Sequence, residues 1–352
     1  MPNISEIDKN FAVESKIEKE NICWIDSKNE QFTVKGVFYE NGGYKRMPCE
    51  TAKTVSEGVE YLNKHTSGGR LLFETDSSFV ALSVKGKSDH MAHMAFTGSK
   101  GFDLYIYEDG QFEYYRTFTP DGKIVNEFEN IIEFDEKKSR KLLIHFPLYG
   151  GVEELNIGLE NDAYIEPFDP YKSGELAVYY GSSITQGGCA SRGGNNYPAI
   201  VSRKTMTDFI CLGFSGNAHG ETAMVDYLAS LPMTMFVMDY DHNDMREPDR
   251  LTERHPRLYN AVRKAHPDIP IIIMSAPWTK NYELLEQKSR EVVLKTYNTA
   301  KAKGDNVFFV DGQKFFGKEF ADCATVDGCH PNDYGFVKMA EAVLNVINEN
   351  TL

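Results

Sequence analysis

Three residues of this sequence are suited by type and spacing to nucleophilic catalysis. Ser183 follows a short apolar run and the residues Gly181 and Ser182, and Asp327 precedes His330 by three positions. A serine hydroxyl is a weak nucleophile until a base accepts its proton, and the histidine imidazole titrates near neutral pH. An aspartate on the same loop can fix the imidazole tautomer and stabilise the imidazolium. Together these residues predict acyl transfer through an acyl-enzyme.

The elements that would bring these residues together are indicated by the pattern of the second half of the chain. Short apolar runs alternate there with segments of helical spacing, which predicts a parallel sheet in a three-layer α/β/α domain. The predicted strands are 176–180, 209–212, 235–238, 271–274 and 307–310, and a final helix is predicted over 333–348. Functional groups in such sheets gather at the carboxyl ends of the strands.

Four of these strand ends are followed by polar motifs. They are Gly181-Ser182-Ser183, Gly213-Phe214-Ser215-Gly216-Asn217, Asp241-His242-Asn243-Asp244 and, further along the chain, Asp327-Gly328-Cys329-His330. The motifs resemble the four signature blocks of the SGNH (GDSL-like) hydrolases, in the family's order. The resemblance covers about residues 176–350, which is half of the chain. It is specific because four separate blocks agree in order, although each motif alone is a weak signal.

The resemblance implies a role for each matching residue. Ser183 corresponds to the nucleophile, Asp327 to the acid and His330 to the base of the triad. The backbone N–H of Ser183, together with Gly216 and Asn243, corresponds to the oxyanion hole, which stabilises the negative charge that develops on the substrate oxygen.

Two positions depart from the family's pattern. Ser182 stands where the family has aspartate, and Asp241 stands where it has glycine. Neither position supplies the proton transfer or an oxyanion contact, so the predicted activity is unchanged.

Each candidate residue also has a purely structural explanation. Ser183 could be a helix cap, Gly216 a turn glycine, Asn243 a loop cap, and Asp327 with His330 a surface pair. If all five residues were purely structural, five matching residue types would have to occur by chance in the family's order. The functional interpretation is therefore favoured. Asp241 and His242 could be imagined as metal ligands, but no partner set with metal spacing accompanies them. We therefore expect neither a metal nor another cofactor.

Two further residues are candidates for binding substrate. Arg192 lies in a glycine-rich loop after the nucleophile and can contact substrate oxygens with two donors. Trp278 follows the predicted strand 271–274 and offers a face on which a sugar ring can stack. Packing beneath the loop or at a subunit interface is an equally good explanation for Trp278.

The first half of the chain has a different pattern. From 31 to 160, short aromatic and β-branched runs are punctuated by turn residues, including a hairpin signal at Asp109-Gly110, and no helix is evident. This pattern predicts a β-sandwich of jelly-roll type. Proline-rich residues near 163–173 indicate a linker, so we predict an accessory β-domain over 1–165 and a catalytic domain over 174–352.

Composition excludes several classes of function. The formal net charge of −14, with 52 acidic against 38 basic residues, disfavours nucleic acid as a partner. Residues 1–11 lack the apolar core of a secretion signal, and no apolar run is long enough to span a bilayer, so a cytoplasmic protein without a membrane partner is expected. The six cysteines show no C-x-x-C spacing and indicate neither disulfides nor a zinc site.

A jelly-roll-like domain before an SGNH domain resembles two-domain bacterial carbohydrate acetylesterases. The resemblance implies a serine esterase that removes acetyl groups from xylan- or mannan-derived oligosaccharides. The alternatives are an acyltransferase, a thioesterase or a lysophospholipase with the same triad, or a carbohydrate-binding protein whose hydrolase domain is inactive. We expect a small-molecule or oligosaccharide ester as the binding partner, and a homo-oligomer.

Overall fold

The computed structural model describes residues 17, 19–87, 91–120, 126–279, 282–317 and 319–352. Residues 1–11, on which the prediction of a cytoplasmic protein rests, lie outside the described residues. Within the described part of the chain, each helix is too short or too polar to span a membrane.

The first domain is rich in antiparallel strands. In chain order these are β1 (Ile22–Asp26), β2 (Thr33–Lys35), β3 (Phe38–Glu40), β4 (Gly43–Lys45), β5 (Arg70–Thr75), β6 (Phe79–Lys85), β7 (Phe102–Glu108), β8 (Gln111–Phe118), β9 (Glu127–Glu133), β10 (Arg140–His145), β11 (Glu154–Glu160) and β12 (Ile165–Pro167). One sheet has the order β1-β11-β6-β9, and the other has the order β12-β5-β10-β7-β8 with β2 beside β5. Leu71 and Phe73 from one sheet pack with Leu82 and Ile157 from the other in a single apolar cluster. The antiparallel β-domain is therefore as predicted, while its jelly-roll connectivity stays a prediction.

The predicted hairpin is present between β7 and β8, where Glu108 pairs with Gln111. Asp109 and Gly110 both have positive φ, 51° and 81°, which a tight turn between twisted antiparallel strands requires. The segment between β5 and β6 joins strands that belong to different sheets, so it carries the chain from one sheet to the other.

The expectation of no helix in this half is wrong. The structure contains α1 (Cys49–Val55), α2 (Glu57–Leu62) and α3 (Phe96–Ser99). These helices have at most about two turns, too few for an apolar helical repeat to stand out from the sequence. The predicted linker also contains a strand, because β12 pairs with β5 and extends the first domain's sheet.

The second domain contains the five predicted strands. They are β13 (Leu176–Gly181), β14 (Asp208–Gly213), β15 (Met235–Asp239), β16 (Ile271–Met274) and β17 (Val307–Val310). Their order is β14-β13-β15-β16-β17, and all neighbours are parallel. The sequence-based prediction of a parallel sheet is confirmed.

Helices cover both faces of this sheet. They are α4 (Ser183–Gln186), α5 (Tyr197–Thr205), α6 (Thr222–Ser230), α7 (Asp241–Asp244), α8 (Pro248–Ala265), α9 (Glu283–Ala302) and α10 (Asp333–Asn350), with short 3-10 turns at Gly193–Asn195, Gly312–Lys314 and Ala321–Cys323. Tyr179 of β13 packs with Phe336 of α10, whereas the preceding Val178 lies in a second apolar cluster with Leu258 of α8 and Val293 of α9. Alternate residues of one strand are thus buried on opposite faces, which produces three layers.

The two domains are joined by buried polar contacts. The guanidinium of Arg46 in the first domain donates to the carbonyl oxygens of Cys211 and Gly213, at the end of β14. Arg70 lies 2.9 Å from the carboxylate of Asp208, and its side chain is fully buried. A desolvated guanidinium is stable only where acceptors surround it, so these contacts depend on close docking of both domains.

Candidate active site

The turn that carries Ser183 has almost no free space. A Cβ atom on Gly181, the last residue of β13, would lie 2.0 Å from the hydroxyl of Thr185. The Ser182 hydroxyl accepts a hydrogen bond from the backbone N–H of Ile184 at 3.1 Å and so caps α4. Serine and aspartate both serve as helix caps, which accounts for Ser182 where the family has aspartate. The strand and cap together fix Ser183 at the first position of the helix.

The side chains of Ser183, His330 and Asp327 form a chain of two hydrogen bonds. The Oγ of Ser183 is 2.9 Å from Nε2 of His330, and Nδ1 of His330 is 2.7 Å from Oδ2 of Asp327. The structure therefore brings together the three residues that the sequence singled out, with the imidazole between hydroxyl and carboxylate. This geometry can move a proton from the serine to the histidine.

Asp327 is held in place by the loop that also carries His330. Its Oδ1 accepts hydrogen bonds from the backbone N–H groups of Cys329 at 3.0 Å and His330 at 2.7 Å. Partial burial tends to raise the pKa of Asp327, but the hydrogen bonds from His330 and Cys329 and the nearby imidazole outweigh it, so the pKa is lowered. Asp327 is consequently a carboxylate at neutral pH and favours a proton on Nδ1 of His330.

Gly216 lies on the loop after β14, and this loop contacts α7, the short helix that carries Asn243. The side-chain amide of Asn243 donates to the carbonyl oxygen of Phe214 at 3.2 Å. An amide NH₂ has two donors, and this bond uses one of them. Gly216 has a φ of +66°, while a Cβ atom on it would meet nothing within 4 Å. Glycine is therefore favoured there by backbone conformation and not by space.

The second departure from the family's pattern also has a structural role. Asp241 is fully buried, and its Oδ2 accepts a hydrogen bond from the backbone N–H of Ala276 at 3.1 Å. Burial raises the pKa of Asp241 to about 8. Asp241 thus ties α7, which carries Asn243, to the segment that leads to Trp278.

Another buried acid lies beneath the nucleophile turn. Asp239, the last residue of β15, accepts hydrogen bonds from the hydroxyls of Thr185 at 2.8 Å and Tyr197 at 3.1 Å. Burial raises its pKa to about 7.

Sequence reasoning missed the role of Gln186, which is fully buried. Its Oε1 accepts from the backbone N–H of Ser215 at 3.1 Å, and its Nε2 lies 3.1 Å from Nδ1 of His65 and 3.2 Å from the Leu148 carbonyl oxygen. Gln186 therefore connects the nucleophile's helix to the loop of Gly216 and to the first domain. A polar residue in the first helical turn after the candidate nucleophile was the available signal.

The two predicted substrate-binding residues, Arg192 and Trp278, have hydrogen-bond partners outside the triad. The guanidinium of Arg192 is 3.6 Å from the ring centroid of Tyr114 in β8, and it donates to Asn195 at 3.1 Å. Trp278 is half-buried, and its backbone N–H donates to Gly312 at 3.2 Å. Their contacts with substrate stay predictions.

Comparison with known proteins agrees with this architecture. Residues 175–348 match the GDSL-like lipase/acylhydrolase family, and residues 22–165 match GxDLY, the N-terminus of SGNH hydrolase-type esterases. The chain therefore belongs to the SGNH (GDSL-like) hydrolases. No curated protein matches the chain.

Solved structures resemble the whole chain. A GDSL-like lipase from Bacteroides ovatus has a TM-score of 0.84 and 28% identity, covering 94% of this chain and 98% of its own. The salicylyl-acyltransferase SsfX3 of a tetracycline biosynthetic pathway has a TM-score of 0.79 and 20% identity, covering 95% and 99%. An acetyl xylan esterase from Butyrivibrio proteoclasticus has a TM-score of 0.58 and 11% identity, covering 94% and 98%. The two family matches identify the chain as a carboxylic ester hydrolase.

The pattern G-x-D-L-Y, after which the family matched by the first domain is named, marks a second residue whose role was not predicted. It occurs here as residues 101–105, and its aspartate is Asp103. Asp103 is fully buried and accepts hydrogen bonds from the backbone N–H of Gly194 at 2.8 Å and the hydroxyl of Thr117 at 3.0 Å. It therefore anchors the glycine-rich loop to β7. The signal was an acidic residue among the apolar and aromatic residues that begin this strand.

Proposed function

We propose that this protein is a serine esterase that removes O-acetyl groups from acetylated oligosaccharides, such as those derived from xylan or mannan. The proposal assigns the nucleophile to Ser183, the base to His330 and the acid to Asp327. The observation that carries it is the pair of hydrogen-bond distances, 2.9 Å and 2.7 Å, that link the three side chains.

In the first half of the reaction, Nε2 of His330 accepts the proton of Ser183 while Oγ attacks the acetyl carbonyl carbon. The carbonyl π electrons move to oxygen, and the tetrahedral intermediate then expels the sugar oxygen, which takes the proton from His330. In the second half, water is deprotonated by His330 and attacks the acetyl-enzyme. Acetate leaves, and Ser183 regains its proton. Asp327 stays ionised and stabilises the imidazolium in both halves.

The negative charge on the substrate oxygen would be stabilised by the N–H groups of Ser183 and Gly216 and by the amide of Asn243. Asn243 is suited to this role because its contact with Phe214 fixes the amide before substrate binds. Donors that are already oriented lower the barrier without reorganising during the reaction.

The surroundings of Ser183 favour a short acyl group. Ser183 is only 5% exposed. A Cβ atom on Gly188 would lie 3.1 Å from the His330 ring and 3.0 Å from the Tyr149 hydroxyl, so this side of the site is narrow. A confined site that accepts acetyl is consistent with the acetyl xylan esterase among the structural relatives.

The test measures acetate released from acetylated xylo- and manno-oligosaccharides, together with hydrolysis of 4-nitrophenyl acetate, butyrate and longer esters. We expect release from at least one oligosaccharide and a preference for acetate, and Ser183→Ala should abolish both because it removes the atom that forms the acyl-enzyme.

Preference for long acyl chains, or product formed only when an acceptor alcohol replaces water, would contradict the proposal and support a lipase or an acyltransferase. Retention of most activity by Ser183→Ala would show that the nucleophile is assigned wrongly. Circular dichroism of the variant verifies that the fold is retained.

A further inference from the structure

A cluster of four potential metal ligands lies at the candidate active site. His93, Cys189, Asp327 and His330 each offer one ligand atom, and these atoms all lie within 4.8 Å of one another. The rings of His93 and His330 are 6.0 Å apart between centroids. His93 comes from the first domain and Cys189 from the loop after the nucleophile, so the cluster forms only in the folded, docked chain.

The chemistry of the four donors is selective. Imidazole nitrogen and thiolate sulfur favour Zn²⁺ and similar borderline-soft ions, whereas Mg²⁺ and Ca²⁺ prefer oxygen ligands throughout. One carboxylate beside two imidazoles and a thiolate makes a ligand set that suits four-coordinate Zn²⁺.

The loop that carries Cys189 is fixed in place. Cys189 is 6% exposed and has a φ of +74°, a backbone conformation that residues other than glycine rarely adopt. Two residues further on, Ser191 donates its backbone N–H to Asp333 at 2.8 Å and accepts from the hydroxyl of Thr97 at 2.5 Å. Thr97 lies four residues after His93, so the two segments that supply ligands to the cluster are bonded to each other. His93 itself is exposed, which leaves a route for an ion from solvent.

We propose that His93, Cys189, Asp327 and His330 form a Zn²⁺ site whose occupation switches the esterase off. The binding of zinc stands on the ligand cluster alone, whereas the loss of activity rests on the proposed function of His330.

Inhibition follows whichever imidazole nitrogen of His330 binds the ion. A neutral imidazole has one nitrogen lone pair and one N–H. If Nε2 coordinates zinc, the lone pair facing Ser183 is used. If Nδ1 coordinates zinc, the proton must sit on Nε2, which then cannot accept the serine proton. Cys189 binds as a thiolate, and its proton passes to solvent.

Metal binding is tested first without reference to activity. Co²⁺ is titrated into the full-length protein and into Ser183→Ala, and the thiolate-to-cobalt charge-transfer absorption is recorded, followed by displacement of Co²⁺ with Zn²⁺. We expect the band at about one equivalent in both proteins, because Ser183 supplies no ligand. Cys189→Ala should lose the band, and the matched control Cys323→Ala, which removes an exposed cysteine, should keep it.

The effect on activity is tested with ZnCl₂ in assays of 4-nitrophenyl acetate hydrolysis. We expect inhibition that a chelator reverses, no inhibition by Mg²⁺, and a zinc concentration for half-inhibition raised at least about tenfold in His93→Ala and in Cys189→Ala. His93 is exposed, so its variant keeps the fold even where replacement of the buried cysteine does not.

Three results would overturn the proposal: no thiolate–cobalt band, unchanged zinc inhibition in His93→Ala, or full activity of the zinc-loaded enzyme. If the wild type hydrolyses no ester, the proposed function fails, and the cobalt titration still decides whether the metal site exists.

Discussion

Replacing Asp327 with asparagine should change the proton position on His330 without disturbing the loop. The Oδ1 of Asp327 accepts two backbone N–H groups, from Cys329 and His330, while Oδ2 faces Nδ1 of His330. Asparagine has one oxygen and one NH₂ group. The two backbone donors require the oxygen on their side, so the NH₂ group must face Nδ1. Nδ1 then becomes an acceptor, and the imidazole proton moves to Nε2.

The magnitude follows from this tautomer. An imidazole with its proton on Nε2 cannot accept the proton of Ser183, which lies 2.9 Å away. Loss of the correct tautomer in a serine triad lowers kcat by about 10⁴, equivalent to about 5.5 kcal/mol of transition-state stabilisation. KM should change little, because Asp327 lies behind the imidazole and contacts no substrate in the proposed mechanism.

The assay compares kcat and KM of wild type and Asp327→Asn for 4-nitrophenyl acetate, with melting curves for both. Asp322→Asn is a suitable control, because it makes the same chemical change at an exposed position of a nearby 3-10 turn, and it should retain full activity. If Asp327→Asn keeps more than about a tenth of the wild-type kcat, the carboxylate does not set the tautomer and the reasoning from its two backbone hydrogen bonds is refuted.

Three other variants test separate parts of the structure. Asn243→Ala should lower kcat by about 10² to 10³ with little change in KM, as expected for one lost oxyanion donor; an effect on KM alone would instead make Asn243 a ground-state binding residue. Trp278→Ala should reduce kcat/KM on acetylated oligosaccharides by about tenfold, or ~1.4 kcal/mol, while 4-nitrophenyl acetate is hydrolysed almost normally. Equal losses on both substrates with a lowered melting temperature would support a packing role. Asp239, whose pKa burial raises to about 7, stays protonated in the folded protein at pH values where the unfolded chain, with a carboxyl pKa near 4, has lost the proton. Its contribution to stability therefore falls as the pH rises from about 4 to about 7, by up to about 1.4 kcal/mol per pH unit. Asp239→Asn can accept the same two hydrogen bonds but cannot ionise, so it should gain stability relative to wild type across this range. Urea unfolding at several pH values measures the difference, and a difference independent of pH would contradict the assignment.

The sequence predicts best those features that are encoded locally. The strands of the parallel sheet are continuous apolar runs because both of their faces are buried, and all five were predicted. Asp327 and His330 share one loop, so their pairing could be predicted from their spacing. The link from His330 to Ser183 needed the resemblance to a known family, because 147 positions separate the two residues.

Features that depend on docking between distant segments could not be predicted. The contact of Gln186 with His65 joins residues 121 positions apart, and neither local segment contains a pattern that predicts the other. The same holds for His93, whose place beside His330 depends on how the first domain packs against the second. Helices α1 and α2 were missed for another reason, because helices this short are stabilised by packing more than by an apolar repeat of their own.

The buried guanidinium of Arg46 makes the catalytic half a poor candidate for expression by itself. A truncated protein starting at residue 174 would lose the charge that satisfies the carbonyl oxygens of Cys211 and Gly213. It would also expose the ring of Phe214, which lies 4.6 Å from that guanidinium and directly precedes the loop of Gly216. Any exchange of the accessory domain in this enzyme would therefore have to retain Arg46 and its surroundings. A new domain that binds sugar but leaves these carbonyl oxygens without a donor would destabilise the loop that carries Gly216.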